Sequence, residues 1–167
     1  MSKLNPKASL TPLLDTLPQK GQVMWIGLRT KKRGPIQVVN EVQAARGSGL
    51  VGDRYSGKFS SKRQVTLIQG EHIDAVGAFM EMNDLAPTLL RRNIVVRGIN
   101  LLALKNKTFS IGDAMFEMTG LCHPCSRMEE ALGAGGYNAM RGHGGITARV
   151  LQEGLIRVGD AVQMVST

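Results

Sequence analysis

The segment TFSIGDAMFEMT, residues 108–119, is the part of the chain that says most about its fold. Two short runs rich in strand-forming residues flank Gly112-Asp113, a dipeptide that favours a tight two-residue turn, so the segment predicts a β-hairpin. The same strand–turn–strand pattern returns as RVGDA at residues 157–161, where we predict a closing hairpin over residues 155–165. Shared turn chemistry accounts for this echo better than an internal duplication does.

Outward from this hairpin, alternation of apolar and polar residues predicts further short strands. They span residues 23–28, 36–42, 63–69, 93–97 and 146–152. Helical spacing instead predicts a helix over residues 71–82, and Pro87 suits the first turn of another over residues 85–92. A capping pattern predicts a short helix over residues 126–132, and the glycine-rich residues 133–145 predict a loop or a broken helix. A series of short strands with few helices fits a mainly β fold, a small β-barrel with inserted short helices, better than an alternating βαβ array.

Length and composition place the chain among single-domain globular proteins. Its 167 residues are 43% hydrophobic and 20% charged, which excludes a disordered, collagen-like or coiled-coil chain. Residues 1–20 are predicted as an N-terminal extension, with an amphipathic turn of Leu10, Leu13, Leu14 and Leu17 that docks on a domain of residues 21–167. No apolar run approaches a membrane span or a signal peptide, so we expect a soluble, cytoplasmic protein that binds no membrane.

Positive charge is concentrated in one part of the sequence. The chain carries a formal net charge of +8, and nine basic residues face only two acidic ones between Arg29 and Arg63. Such a run indicates either a solvated face or a surface that collects nucleic acid, phosphate or an anionic cofactor. Aromatic residues make up only 4% of the chain, which disfavours the stacking platform that single-stranded nucleic acid needs.

The segment LCHPCSRMEE, residues 121–130, carries the clearest chemistry. Ser126 and Glu129 fit a capping box, which places Cys125 directly before a predicted helix. The helix dipole and Arg127 then favour thiolate over thiol at Cys125. A thiolate in such surroundings acts as a nucleophile, a sulfur-transfer residue or a soft metal ligand.

Four interpretations of the two cysteines stay open at this point. A structural zinc site needs a second ligand pair, and His72 and His143 stand at no standard spacing for one. A thioredoxin-like redox pair has the spacing of Cys122 and Cys125 but lacks the βαβ context. The remaining interpretations are two buried, inert thiols, or a reactive or metal-ligating Cys125, which the polar and basic neighbourhood favours.

Five segments follow one another in the order of a known family. They read GLVGDR at residues 49–54, RQVTLI at 63–68, RRNIVVRG at 91–98, FSIGD at 109–113 and PCSR at 124–127. On these motifs the chain resembles the MOSC domain, which occurs at the C-terminus of molybdenum-cofactor sulfurases and as stand-alone bacterial proteins. The resemblance runs from about residue 23 to residue 165, and it implies a β-barrel with inserted helices.

The resemblance gives Cys125 two possible roles. The matching cysteine is similar to a persulfide-carrying sulfur acceptor in the sulfurase-linked members, and to a thiolate ligand of molybdenum in the amidoxime-reducing relatives. Arg91 and Asn93 match the Arg-x-Asn motif of the family, and the resemblance implies that they lie near the cofactor. Cys122 has no counterpart in the general family pattern.

Further site residues follow from the chemistry of molybdenum cofactor, an anionic pterin that ends in a phosphate. Arg54 is expected to face that phosphate, and Arg127 and His143 are expected as neighbours of the cysteine. Pyridoxal phosphate would belong only to a partner cysteine desulfurase, and electrons would come from a partner reductase, because the chain resembles neither.

The resemblance therefore implies a molybdenum-cofactor-binding protein. Its cysteine either ligates the metal, in the service of reduction of N-hydroxylated compounds, or carries sulfur as a persulfide for metal–sulfur cofactor chemistry. The alternative is a non-catalytic basic β-barrel that binds nucleic acid or another anionic partner.

Overall fold

A closed β-barrel lies at the centre of the computed structural model, which describes residues 9–55 and 61–166. The strands of the described residues are β1 (Gly21–Arg29), β2 (Ile36–Val39), β3 (Glu41–Ala45), β4 (Gly49–Leu50), β5 (Val65–Gln69), β6 (Ile94–Arg97), β7 (Thr108–Ile111), β8 (Ala114–Leu121), β9 (Ile146–Gln152), β10 (Gly154–Arg157) and β11 (Ala161–Met164). The helices are α1 (Thr11–Leu14), α2 (Gly70–Phe79), α3 (Pro87–Leu90), α4 (Ser126–Leu132) and α5 (Gly136–Met140), with a 3-10 helix at Leu101–Leu104.

Seven strands close the barrel in the order β11-β7-β8-β9-β5-β6-β1, and β1 pairs back onto β11. Strand β2 continues from β1 outside the ring, and β10, β3 and β4 form a separate small sheet. All neighbours in the ring run antiparallel except β5 and β6, whose connection contains α2 and α3. A parallel pair requires such a crossover. The predicted mainly β fold, a small barrel with inserted short helices, is confirmed.

The core has two parts, one on each face of β5. Val65 and Leu67 point into the barrel interior with the larger apolar cluster, whereas Ile68 belongs to a second cluster under the helices. Successive strand residues face opposite sides, so a strand covered on both sides is apolar throughout. All five residues of β5 are buried, so packing on both faces fixes the position of this strand, whose start borders the site described below.

The hairpin at residues 108–119 is confirmed, with Ile111 paired directly to Ala114 across the turn. The closing hairpin over residues 155–165 is wrong, because β10 pairs with β3 whereas β11 pairs with β7 and β1. The turn between β10 and β11 is hydrogen-bonded to β1: the Gly159 N–H donates to the Val23 carbonyl, and the Asp160 carbonyl accepts from the Val23 N–H. The predicted strand over residues 36–42 breaks at Asn40, where the chain passes from one sheet to the other.

The N-terminal turn differs from its prediction. Residues 1–8 lie outside the described residues, and Leu10, Leu13 and Leu14 are exposed, so they do not form the docking face that the spacing predicts. Leu17 is the one of the four that packs against the barrel core. No helix in residues 9–55 or 61–166 is both long and apolar enough to cross a membrane.

Candidate functional site

A pocket of about 480 Å3 opens at one end of the barrel, where segments distant in sequence meet. The end of β1, the loop after β4, the start of β5, the residues between α3 and β6, and the segment after β8 all contribute to it. Its lining residues are Arg29, Arg54, Tyr55, Arg63, Thr66, Arg91, Arg92, Cys122, His123, Cys125, Arg127 and Met128.

The pocket is strongly cationic, since six arginines and no carboxylate line it among the described residues. The arginines are close enough to affect one another: burial lowers the pKa of Arg91, and the charges of Arg29, Arg127 and Arg54 lower it further. Guanidinium groups suit phosphate and carboxylate because their planar donors bind two oxygens at once. This arrangement is therefore suited to a multiply charged anion.

Arg91 holds a left-handed backbone conformation, with φ 57° and ψ 29°, directly after α3. Glycine usually occupies this position after a helix, because a side chain there is strained. The Arg91 guanidinium donates to the Gly34 carbonyl at 2.7 Å, which fixes the side chain across the pocket wall.

Arg92 is buried and connects three chain segments. Its guanidinium donates to the carbonyl oxygens of Leu90, Gly144 and Cys122, at 2.9, 2.8 and 3.4 Å. Burial lowers the pKa of Arg92, and no carboxylate pairs with it within residues 9–55 and 61–166. A buried cation without an ion partner destabilises the fold, so an anion bound in this pocket would offset that cost.

Asp53 lies behind the pocket and holds Arg29 in place. Its carboxylate accepts from the Arg29 backbone N–H, Nε and NH2, and from Asn93 Nδ2 at 3.1 Å. Burial would raise the pKa of Asp53, but the hydrogen bonds and charge of Arg29 and the hydrogen bond from Asn93 hold it below its ordinary value. Asn93 is itself fixed, because its Oδ1 accepts from the backbone and hydroxyl of Thr66.

The segment after β8 presents one thiol and buries the other. Cys122 is buried, with its N–H bonded to the Gly145 carbonyl, whereas Cys125 is exposed at the N-cap position of α4. The predicted capping box is wrong, because no side chain caps α4. Glu129 instead accepts from the N–H groups of Gly135 and Tyr137, and these bonds hold the pKa of Glu129 below its ordinary value.

Four of the six predicted site residues come together. Arg54, Arg91, Arg127 and Cys125 all line the pocket. Asn93 does not, since it is fully buried and reaches the pocket only through Asp53 and Thr66.

His143 is also separate from the pocket lining. Its ring packs against His72 at 5.0 Å and Phe79 at 5.6 Å between centroids, and its Nδ1 lies 3.2 Å from the Ala139 carbonyl oxygen. His123 takes the position beside the cysteines that was expected for His143.

The pocket contains residues that the sequence did not single out. Arg29 and Arg63 belong to the basic stretch, and Arg92 adjoins Arg91, so charge density was the available signal for all three. No motif or charge pattern in the sequence pointed to Tyr55 as a pocket residue. Its hydroxyl is buried at the pocket and has no hydrogen-bond partner among the described residues, which leaves a polar atom available to a ligand.

The family follows from a comparison with known domain families. The model of the MOSC domain matches residues 54–163, more than half of the chain, and this range contains eleven of the twelve pocket residues, all but Arg29. The chain belongs to the MOSC domain family.

Solved structures place this MOSC protein among others of the same fold. It is similar to the YUAD protein from Bacillus subtilis, with TM-score 0.75 and 18% identity over 91% of this chain and 100% of that chain. YiiM from Geobacillus stearothermophilus matches with TM-score 0.71 and 17% identity over 87% of this chain and 75% of that chain. YiiM from Escherichia coli matches with TM-score 0.67 and 18% identity over 87% of this chain and 70% of that chain. At such identities the likeness concerns the fold alone. No curated protein sequence matches the chain.

Proposed function

We propose that this MOSC protein binds molybdenum cofactor in the arginine pocket, with Cys125 as a sulfur ligand of the metal. One observation carries the proposal: six arginines and an exposed thiol share a single pocket of about 480 Å3. A pocket of this size suits a small anion, whereas nucleic acid calls for an extended basic face with stacking groups.

The residues present fit the chemistry of the cofactor. The arginines match a terminal phosphate, and a thiolate is the soft ligand that such a metal accepts. No three His, Cys, Asp or Glu side chains of the described residues form a group that could hold a metal ion. A metal at Cys125 must therefore bring most of its ligands with it, as a pterin-held metal does.

Each group of residues then has a role. Arg54, Arg91 and Arg127 bind the phosphate-bearing end, and the unpartnered Tyr55 hydroxyl offers it a hydrogen bond. Arg92 fixes the backbone of Cys122 and so orients the segment that carries Cys125. When bound, the cofactor supplies two-electron chemistry at molybdenum. The electrons would come from a partner reductase, in the cytoplasm where we place the protein.

Metal analysis tests the proposal. The protein is purified from a host that makes the cofactor, and molybdenum and oxidised pterin are measured for the native chain, Cys125→Ser and Cys122→Ser. We expect about one equivalent of molybdenum in the native protein, a loss of most of it in Cys125→Ser, and retention in Cys122→Ser, because that thiol is buried.

Two results would contradict the proposal. One is native protein without molybdenum or pterin from a competent host. The other is equal metal in the native and Cys125→Ser proteins. Affinity for nucleic acid that falls steeply with salt, with no cofactor present, would favour the basic binding module instead.

A persulfide carrier is the second candidate, and the exposure of Cys125 beside the buried Cys122 favours it. In that reaction the Cys125 thiolate attacks the outer sulfur of a partner's persulfide. A new S–S bond forms at Cys125, the partner's S–S bond breaks, and the partner cysteine leaves as a thiolate, so no oxidant is consumed. The pyridoxal phosphate that makes the first persulfide belongs to the partner desulfurase.

Mass spectrometry separates the two candidates. Incubation of metal-free protein with a cysteine desulfurase and free cysteine is expected to add the mass of one sulfur at Cys125 if the protein is a carrier. The Cys125→Ser protein should gain nothing, and Cys122→Ser should behave as the native chain. Absence of the mass gain in the metal-free protein would reject the carrier.

A further inference from the structure

Strand β8 leaves one edge open just before it delivers the cysteine segment. Its pairing with β7 ends at Glu117, opposite Thr108, and the Met118 N–H makes the last backbone hydrogen bond on that side, to the Lys107 carbonyl at 3.4 Å, while the Thr119 hydroxyl donates to the Lys62 carbonyl. On its other edge β8 stays paired with β9 as far as Leu121. Within the described residues, positions 119–121 therefore have a strand neighbour on one side only.

A trough runs along this open edge. It is lined by Leu102, Lys105, Asn106, Met118 and residues 119–121, and encloses about 340 Å3. Leu102 and Leu121, 44% and 47% exposed, form its apolar floor. We call this surface the β8 trough.

The β8 trough leads to the thiol site. A second cavity of about 150 Å3 shares Leu102 and Leu121 with it and extends to Cys122, His123 and Pro124. Cys122 and His123 in turn line the arginine pocket, which contains Cys125. Adjacent cavities therefore share wall residues from the open strand edge to the arginine pocket that contains the exposed thiol.

The other end of the β8 trough is basic. A further cavity shares Asn106, Met118 and Thr119 with the trough and is lined by Lys62, Lys107 and Glu117, whose carboxylate is paired with Arg149. Lys107 pairs with Asp15, whereas Lys62 and Lys105 are exposed and have no ion-pair partner in the described part of the chain. An occupant that complements this surface carries acidic groups as well as apolar ones.

We infer that the β8 trough binds an extended segment of a partner protein, in which apolar and acidic side chains alternate, and guides that partner to Cys125. An open strand edge offers its backbone groups to a chain in the extended conformation, which adds to the sheet as a further strand. Alternate side chains of such a segment point to the apolar floor and to the lysines. The inference deepens the proposed function, since a donor of sulfur or electrons must approach this thiol.

A peptide tests the inference on the full, cofactor-free chain. The probe is an acetylated heptapeptide of alternating glutamate and valine, followed by amide chemical shifts in NMR. We expect saturable shifts at residues 118–121 and slowed hydrogen exchange at the open edge. The same peptide N-methylated at every residue should fail to bind, because it lacks the donors that a new strand needs.

Matched variants locate the contact. Leu121→Glu should weaken binding by up to about fivefold, the size of one cross-strand pair. Val38→Glu is the control, since Val38 is 53% exposed on β2, which lies at the end of the sheet order. Lys105→Glu should also weaken binding, and a heptapeptide of alternating lysine and valine should bind less tightly than the acidic probe.

Several outcomes would overturn the inference. They are shifts confined to the arginine pocket, equal binding of the N-methylated peptide, equal loss in Leu121→Glu and Val38→Glu, or self-association of the chain through residues 118–121, which would make a second copy the occupant. The peptide measurement uses no cofactor, so it can be interpreted even if the protein binds no molybdenum cofactor. The metal analysis can likewise be interpreted even if the peptide does not bind.

Discussion

Arg91 has the backbone conformation that glycine usually takes at the end of a helix. Its φ of 57° places it in the left-handed region. Burial lowers its pKa, and the charges of three neighbouring arginines lower it further. Both features cost stability in the absence of a ligand. A strained, like-charged residue in a pocket is the pattern expected where binding, rather than folding, has determined the residue.

Replacement of Arg91 by glycine and by alanine should therefore differ in its effect on stability but not in its effect on binding. We expect Arg91→Gly to be about 1 kcal/mol more stable than Arg91→Ala, because alanine keeps the left-handed strain and glycine does not. That difference corresponds to a shift of roughly 2–4 °C in Tm for a chain of this size. Both variants should lose molybdenum, because both lack the guanidinium.

Thermal melts of the two variants and the native chain provide the check. If Arg91→Gly is no more stable than Arg91→Ala, the left-handed conformation carries no cost. If both variants keep the metal, Arg91 serves the wall of the pocket through its bond to Gly34 and not the ligand.

At the level of elements, Asp53 joins the end of β1 to the loop that follows β4. It bonds the backbone and side chain of Arg29, and Arg54 N–H donates to the Arg29 carbonyl at 2.6 Å. Asn93, next to β6, bonds the same carboxylate. One ionised side chain thus holds three segments that carry pocket arginines.

The sign of its pH effect follows from the lowered pKa of Asp53. A carboxyl with a lower pKa in the folded state stabilises the fold above its unfolded pKa, about 4. This contribution is lost as the pH falls below about 4 and through the folded value. Asp53→Asn should cost roughly 3 kcal/mol at neutral pH, as expected when one partner of a buried pair is removed.

Denaturant unfolding at a series of pH values measures both effects. The native chain should lose stability below about pH 4 more steeply than Asp53→Asn does. Asp74→Asn is the matched control, because Asp74 also binds an arginine with two oxygens but is exposed, and surface pairs contribute about 1 kcal/mol or less. Equal losses in both variants would show that burial of the Asp53 pair is unimportant.

Elements with local causes could be predicted, and those with distant causes could not. The hairpin around Gly112 follows from two adjacent residues, and helix α2 follows from its own apolar spacing at Ile73 and Val76. The splitting of the strand at Asn40 and the separation of β10 from β11 depend on partners far along the chain. Patterns of apolar residues identify strands but not their neighbours.

The site divides in the same way. Cys125 and Arg54 stand in motifs that predict a contact with ligand, and they line the pocket. Asn93 stands in such a motif too, yet its side chain serves Asp53 and Thr66 behind the wall. His143 lies beyond the pocket because α5 directs it to His72. Sequence identifies polar residues of interest, whereas the fold decides which of them reach the ligand.

The whole molecule carries a net charge of +8, and the pocket concentrates six of its 21 lysines and arginines at one end of the barrel. Mutual repulsion there destabilises the compact state when no anion is bound. An anion that enters the pocket removes this cost and binds only the folded chain. Linkage then makes stability depend on anion concentration.

Inorganic phosphate should therefore raise the Tm of the cofactor-free protein at constant ionic strength, when it replaces chloride. Saturation by about 100 times its Kd corresponds to about 2.7 kcal/mol of added stability. The double variant Arg54→Gln, Arg127→Gln should lose most of this gain. The control double variant Lys31→Gln, Lys32→Gln removes the same amount of charge from the basic stretch outside the pocket lining. It should keep the gain in Tm that phosphate produces. Equal loss in both double variants would mean that net charge, and not the pocket, attracts the anion.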